Sequence, residues 1–151
     1  YQRDRILKPD WEKPMTPHFR LDNNVIIFSL FPGIREDLIR HIIHTPNLKA
    51  IVMRTFGSGN APQKPWLLNA LREGTKNGKV IVNISQCMQG AVEMSRYDCG
   101  FHLQEAGVIS GRDSTVESAV TKLMFLQSHY PDDPETVRHL MQQSIRGEMT
   151  I

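Results

Sequence analysis

The sequence predicts an α/β domain: a small parallel sheet of about four strands, layered between helices and continued by a mainly helical carboxyl-terminal part. Three short apolar runs, each closed by turn residues, supply strands, and apolar residues at helical spacing fill the intervals between them. Strand, helix, strand, helix, strand with short connections is most economically a right-handed parallel unit with helices on both faces. A chain of 151 residues suits one domain. Such a domain buries roughly two-thirds of the surface its unfolded form exposes.

Residues 1–23 carry charge and proline (Pro9, Pro14, Pro17) and read as an extended arm or interdomain linker, with the folded unit at 24–151. Val25-Ile26-Ile27-Phe28-Ser29-Leu30 is a continuous apolar run ended by Pro32-Gly33, which predicts a strand buried on both faces. Ile34, Leu38, Ile39, Ile42 and Ile43 then recur at helical spacing until Pro46 stops them. Ala50-Ile51-Val52-Met53 is the second strand. The next helix carries Leu67, Ala70 and Leu71 and begins near Pro65, because proline lacks an amide hydrogen and suits a first turn. Val80-Ile81-Val82-Asn83-Ile84 is the third strand. Residues 97–106 read as a helix ending at Gly107, and Val108-Ile109 as a short fourth strand. Ser114 and Glu117 match a capping box before a helix with Val116, Ala119, Val120 and Leu123 on one face. Asp133-Pro134-Glu135 opens the last helix, with Val137, Leu140, Met141 and Ile145 spaced for burial. Together these elements make a three-layer Rossmann-like (flavodoxin-like) arrangement.

Charge narrows the partners. Eighteen basic and 16 acidic residues leave a net charge of +2, and no Lys/Arg run is present to track a phosphate backbone, so nucleic acid is not an expected partner. The apolar runs are far shorter than the roughly 20 residues needed to cross a bilayer, and no charged-then-apolar leader opens the chain, so no membrane partner is expected either. Cys87 and Cys99 stand too far apart for a C-x-x-C pair and are too few for a disulfide framework, which fits a reducing cytoplasm. The first residue, Tyr1, is not methionine, which suggests a fragment or trimmed ends. His41 and His44 share a helix face, but no third ligand is positioned by sequence to complete a metal site, and no cofactor is expected.

The segment Arg54-Thr55-Phe56-Gly57-Ser58-Gly59-Asn60-Ala61-Pro62 follows the second strand directly. A buried strand running out into glycines, an asparagine and a proline places polar groups at the carboxyl edge of a sheet, where open α/β sheets bind ligands. A P-loop needs lysine and Ser/Thr after its last glycine, but here Gly59 precedes Asn60 and Ala61. A dinucleotide fingerprint needs a small residue where Pro62 stands and an acid near Ser85-Gln86-Cys87, which this chain lacks. With the helix starting near Pro65, Asn60 lies outside it. Its amide can bond a ligand, or the residue can occupy a left-handed turn position. Arg54 beside it is either a solvated side chain or a carboxylate-binding fork.

Phe31-Pro32-Gly33-Ile34, the loop 54–62, Asn83-Ile84-Ser85-Gln86-Cys87-Met88, Ala106-Gly107-Val108-Ile109-Ser110-Gly111, Asp113 with Thr115-Val116-Glu117, Thr121-Lys122-Leu123 and Arg146-Gly147-Glu148-Met149-Thr150 run in order from about Asn24 onward. Together they resemble the carboxyl-terminal domain of bacterial type I, cytoplasmic L-asparaginases. The resemblance implies an amidohydrolase acting on L-asparagine, whose larger amino-terminal catalytic domain carries the nucleophilic threonine in Thr-Gly-Gly-Thr and a second threonine in Thr-Asp-Thr. Neither motif occurs here, so this chain alone is expected to be inactive. It implies a homodimer or homotetramer in which Asn60 reaches substrate in the neighbouring subunit. It also implies a candidate allosteric asparagine site at Arg54, Ser85, Gln86 and Cys87, although Ser85 departs from the threonine of some relatives. For Cys87 the alternative is a small buried apolar side chain at a strand end. The alternative for the whole chain is a stand-alone Rossmann-like module binding a small ligand or nucleotide over the glycine loop.

Overall fold

The computed structural model describes residues 8, 12, 14–88, 90–94 and 98–150. One sheet holds four parallel strands in the order β1-β2-β3-β4: β1 Val25–Ser29, β2 Ala50–Thr55, β3 Val80–Ser85 and β4 Ile109–Ser110. Helices α1 Glu36–Ile43, α2 Pro65–Lys76 and α3 Asp98–Glu105 connect them, and α4 Val116–His129 and α5 Pro134–Met141 follow β4. The α/β class and the small parallel sheet are those the sequence predicts.

Strands added always on the same side keep their crossover helices on one face. Alternate side chains of β2 and β3 therefore meet two different helical layers. Ile51, Met53 and Ile81 pack with Ile39 and Ile43 of α1, Leu67 and Leu71 of α2 and Leu103 of α3. Ala50, Val52, Val80, Val82 and Ile84 point the other way, onto Ala119, Leu123 and Leu126 of α4 and Val137 and Met141 of α5. Burial on both faces is what makes these two strands read as unbroken apolar runs.

β1 corrects one expectation. It is an edge strand, and Ile27 remains 42% exposed. The apolar run reported strand identity but not position in the sheet, because Ile26 and Phe28 feed one core and Val25 the other while the outer edge stays open. The cap of α4 is also shifted by one residue. Thr115 Oγ1, not Ser114, accepts the Ser118 amide at 3.2 Å, because a turn closed by the Ser114 amide on the Gly111 carbonyl holds Ser114 outside the helix. Ile145 packs on the second core but from the tail beyond α5, which ends at Met141. Tyr97, the expected start of α3, lies outside the described residues, as do several residues of the expected arm.

Residues 14–24 form neither strand nor helix and lie along α4. The Asp22 amide donates to the Met124 carbonyl at 2.9 Å and the Ser128 hydroxyl to the Arg20 carbonyl at 2.7 Å. Asp22 also pairs with Lys49 at 2.8 Å, which holds its carboxyl below the usual range.

Candidate functional site

β2 carries the chain to the carboxyl edge of the sheet, where it doubles back within five residues. Phe56 and Asn60 close the loop as an antiparallel bridge, the Phe56 amide donating to the Asn60 carbonyl at 2.9 Å and the Asn60 amide to the Phe56 carbonyl at 2.8 Å. The left-handed backbone falls on Gly57 (φ +49) and Gly59 (φ +105), not on Asn60. Among the described non-glycine residues only Asn47 and Arg112 have positive φ, so the left-handed-turn reading of Asn60 is set aside. A Cβ on Gly59 would lie 2.7 Å from Val92 Cγ1, so glycine is required there by space as well as by backbone.

The loop is gripped from beneath. Asn83, fully buried in β3, donates its side-chain amide to the Gly59 carbonyl at 3.1 Å and accepts the Thr55 hydroxyl at 2.6 Å. Ser85 Oγ donates to the Gly57 carbonyl at 2.6 Å, and the Glu93 amide donates to the Ser58 carbonyl at 3.1 Å. Sequence alone assigns neither Thr55 nor Asn83 a role in the site. For Asn83 a signal is present nonetheless: a polar residue inside the apolar run of a buried strand needs a partner, because an unbonded buried amide costs about 1–3 kcal/mol.

On the same edge, Arg54, Ser85, Gln86 and Cys87 line one cavity of about 250 Å³ together with Asp113 and the first turn of α4 at Thr115, Val116 and Glu117. The four residues singled out by sequence thus come together, and Asn60 is not among the described residues lining that cavity. Their chemistry differs. Gln86 donates its side-chain amide to the Leu30 carbonyl at 2.7 Å and the Arg54 carbonyl at 3.0 Å, tying the ends of β1 and β2. Ser85 Oγ holds the glycine loop and accepts the Cys87 amide at 2.9 Å. Arg54 is partly buried, and its Nε is buried without a hydrogen-bond partner among the described residues. Cys87 is exposed, which overturns the alternative of a buried apolar side chain. The reason is local: β3 ends at Ser85, so Cys87 stands beyond the layer of packed side chains.

Asp113 forms part of the cavity wall and also holds the tail through the Thr150 amide at 2.7 Å and the Thr150 hydroxyl. Burial would raise its carboxyl, but the Thr150 donors outweigh burial and hold it below the usual range. Among the described residues no group of three or more His, Cys, Asp or Glu is placed to hold a metal ion, and no helix is long and apolar enough to cross a membrane.

These features define an α/β domain with a four-stranded parallel sheet whose carboxyl edge gathers a bridged glycine loop and a charged cavity. Residues 24–141 match the glutaminase/asparaginase C-terminal domain, and the chain belongs to that family. It is 42% identical over 137 residues to L-asparaginase 1 of Escherichia coli (strain K12), covering 91% of this chain and 38% of that protein. It is 40% identical over 148 residues to the 60 kDa lysophospholipase of Homo sapiens, covering 98% of this chain and 26% of that protein. The crystal structure of L-asparaginase I from Vibrio cholerae superposes with a TM-score of 0.78 at 40% identity, over 91% of this chain and 40% of that one. The chain spans less than half the length of these relatives, and its match to a C-terminal domain family sets aside the stand-alone binding module.

Proposed function

We propose that the chain acts as the carboxyl-terminal domain of a cytoplasmic L-asparaginase, which hydrolyses L-asparagine to L-aspartate and ammonia. The observation that carries this reading is the 42% identity to L-asparaginase 1 across nearly the whole chain. The nucleophile belongs to an amino-terminal catalytic domain of the same protein, and the enzyme works as a homodimer or homotetramer. Within it Asn60 contacts substrate bound in the neighbouring subunit, its amide offering both a donor and an acceptor to an amino acid.

The cavity at Arg54 is the proposed allosteric asparagine site. An α-amino acid carries one carboxylate and one ammonium, and the cavity walls carry the matching charges. Arg54 and the amino-terminal turn of α4 face an anion, while Asp113 and Glu117 face a cation. Ser85 and Gln86 serve this site by fixing its walls, since both side chains already bond backbone carbonyls.

A chimera tests the reading. Residues 24–151 replace the matching region of E. coli L-asparaginase 1, and ammonia release from L-asparagine is measured for the chimera and for the 151-residue chain alone. The chimera should hydrolyse asparagine and the isolated chain should not. Because the domain also resembles human 60 kDa lysophospholipase, lysophosphatidylcholine is assayed in parallel. A folded chimera without ammonia release, or an isolated chain with it, would refute the proposal.

A further inference from the structure

We infer that Asn83, oriented by the Thr55 hydroxyl, is the positioning residue that sets where Asn60 stands at the sheet edge. The inference rests on the proposed substrate contact of Asn60 and adds how that residue is held. The peptide joining Gly59 to Asn60 is fixed on two sides. Its carbonyl accepts the Asn83 side-chain amide at 3.1 Å, and its N–H, that of Asn60, donates to the Phe56 carbonyl at 2.8 Å. The Asn60 carbonyl is held in turn by the Phe56 amide at 2.9 Å. The backbone N–H and carbonyl of Asn60 are thus both bonded within the loop, and the peptide that precedes it rests on a buried side chain.

The facing of the Asn83 amide is decided by its neighbours. The Gly59 carbonyl can only accept, so the nitrogen of Asn83 must point to it, and the oxygen must then face the Thr55 hydroxyl, which donates at 2.6 Å. The Thr55 hydroxyl has a longer alternative, the Ile84 carbonyl at 3.3 Å, and the 2.6 Å contact dominates. Both side chains are fully buried, so no water competes for these bonds. The strut stands on β2 and β3, the two strands buried on both faces, and so transmits the rigidity of the sheet to an otherwise irregular loop. A displacement of about 1 Å in a group that orients substrate costs on the order of 100-fold in rate, which is why such a support has functional weight.

Asn83→Leu would strand two buried polar partners and threaten the whole domain, so the orienting hydroxyl is altered instead. Thr55→Val keeps the volume and removes the hydroxyl, whereas Thr55→Ser keeps the hydroxyl and removes a methyl. In the 151-residue chain, amide hydrogen exchange at Phe56 and Asn60 should quicken about tenfold or more in Thr55→Val, the equivalent of at least ~1.4 kcal/mol, and stay near wild type in Thr55→Ser. Unchanged exchange in Thr55→Val, or equal loosening by Thr55→Ser, overturns the strut. In the asparaginase chimera, kcat/KM for asparagine should fall in Thr55→Val and in Asn60→Ala, and the double variant should be no worse than Asn60→Ala alone. Additive losses overturn the claim that Thr55 and Asn83 act through Asn60. If Asn60→Ala alone leaves kcat/KM unchanged, the substrate contact fails while the exchange result still reports on the strut, so the two failures are told apart.

Discussion

The loop after β2 and the tail after α5 are both irregular backbone fastened to the sheet layers, and they are fastened by opposite means. The loop is held by neutral groups, the amide of Asn83 and the hydroxyls of Thr55 and Ser85. The tail is held by charge. Lys122, only 9% exposed on α4, meets Glu148 Oε1 at 2.7 Å and donates to the Gln143 carbonyl. The Glu148 carboxylate also accepts the Ile145 amide at 2.9 Å and the Arg146 amide at 2.6 Å. A neutral strut has no protonation state to lose near neutral pH, so the loop keeps one geometry over a broad pH range. An ionic clasp depends on the charge of its carboxylate and is vulnerable to acid.

The largest break in this comparison is Lys122→Met. Removing one member of a buried ion pair leaves the other charge uncompensated and costs about 3–5 kcal/mol, read as a lower denaturant midpoint. The pH dependence follows from Glu148. Burial by itself would raise this carboxyl, but Lys122 and the amides of Ile145 and Arg146 outweigh burial and bring it from 4.5 to about 2. A folded value below the unfolded one stabilises above the unfolded pKa and is lost as pH falls through the folded value. The stabilisation is thus complete above pH about 4.5 and disappears toward pH 2, on the order of 3–4 kcal/mol at about 1.4 kcal/mol per unit. Lys122→Met should flatten that part of the stability curve. A curve as steep as wild type would move the acid sensitivity to another group.

The neutral clasp is broken next most strongly by Gly59→Ala. A side chain at φ +105 is strained, and its Cβ would lie 2.7 Å from Val92 Cγ1. The two penalties together are about 2–3 kcal/mol, and because both are steric they should be equal at pH 7 and pH 4. A Gly59→Ala loss that grows in acid would contradict the division into neutral and ionic clasps.

What the sequence disclosed follows the same division. The two-sided strands and the amphipathic helices were legible because burial repeats along the chain with a fixed period. Pro65 marked the start of α2 because proline tolerates few other places in a helix. The edge position of β1 was not legible, since strand order is settled between strands and leaves no trace in the composition of one run. Arg54, Ser85, Gln86 and Cys87 were nameable from family resemblance, but their division of labour was not. Only the folded arrangement shows that the Gln86 amide is bonded to the Leu30 and Arg54 carbonyls while Arg54 Nε has no hydrogen-bond partner among the described residues. Likewise the meeting of Lys122 with Glu148 joins two motifs 26 positions apart, and no local pattern announces such a pair.

Asp113 joins the tail to the cavity at the sheet edge, which makes it the finest test of the contrast. Its carboxylate accepts the Thr150 amide at 2.7 Å at the end of the tail, and it also lines the same cavity as Arg54. The residue is exposed, so water replaces much of what Thr150 supplies, and Asp113→Asn should cost less than about 1 kcal/mol of stability. A loss above about 2 kcal/mol would place the main hold on the tail at Asp113 and not at the buried Lys122 pair. Its second consequence is electrostatic. If the cavity takes an amino acid, the substitution removes one of two acidic groups facing the ammonium while leaving Arg54 untouched. Asparagine affinity measured by calorimetry should then fall about twofold to fivefold, the size of one partly solvated charge contact. An increase in affinity would mean that the bound ligand presents only negative charge to this wall, which would replace the zwitterion with an anion as the ligand of the cavity.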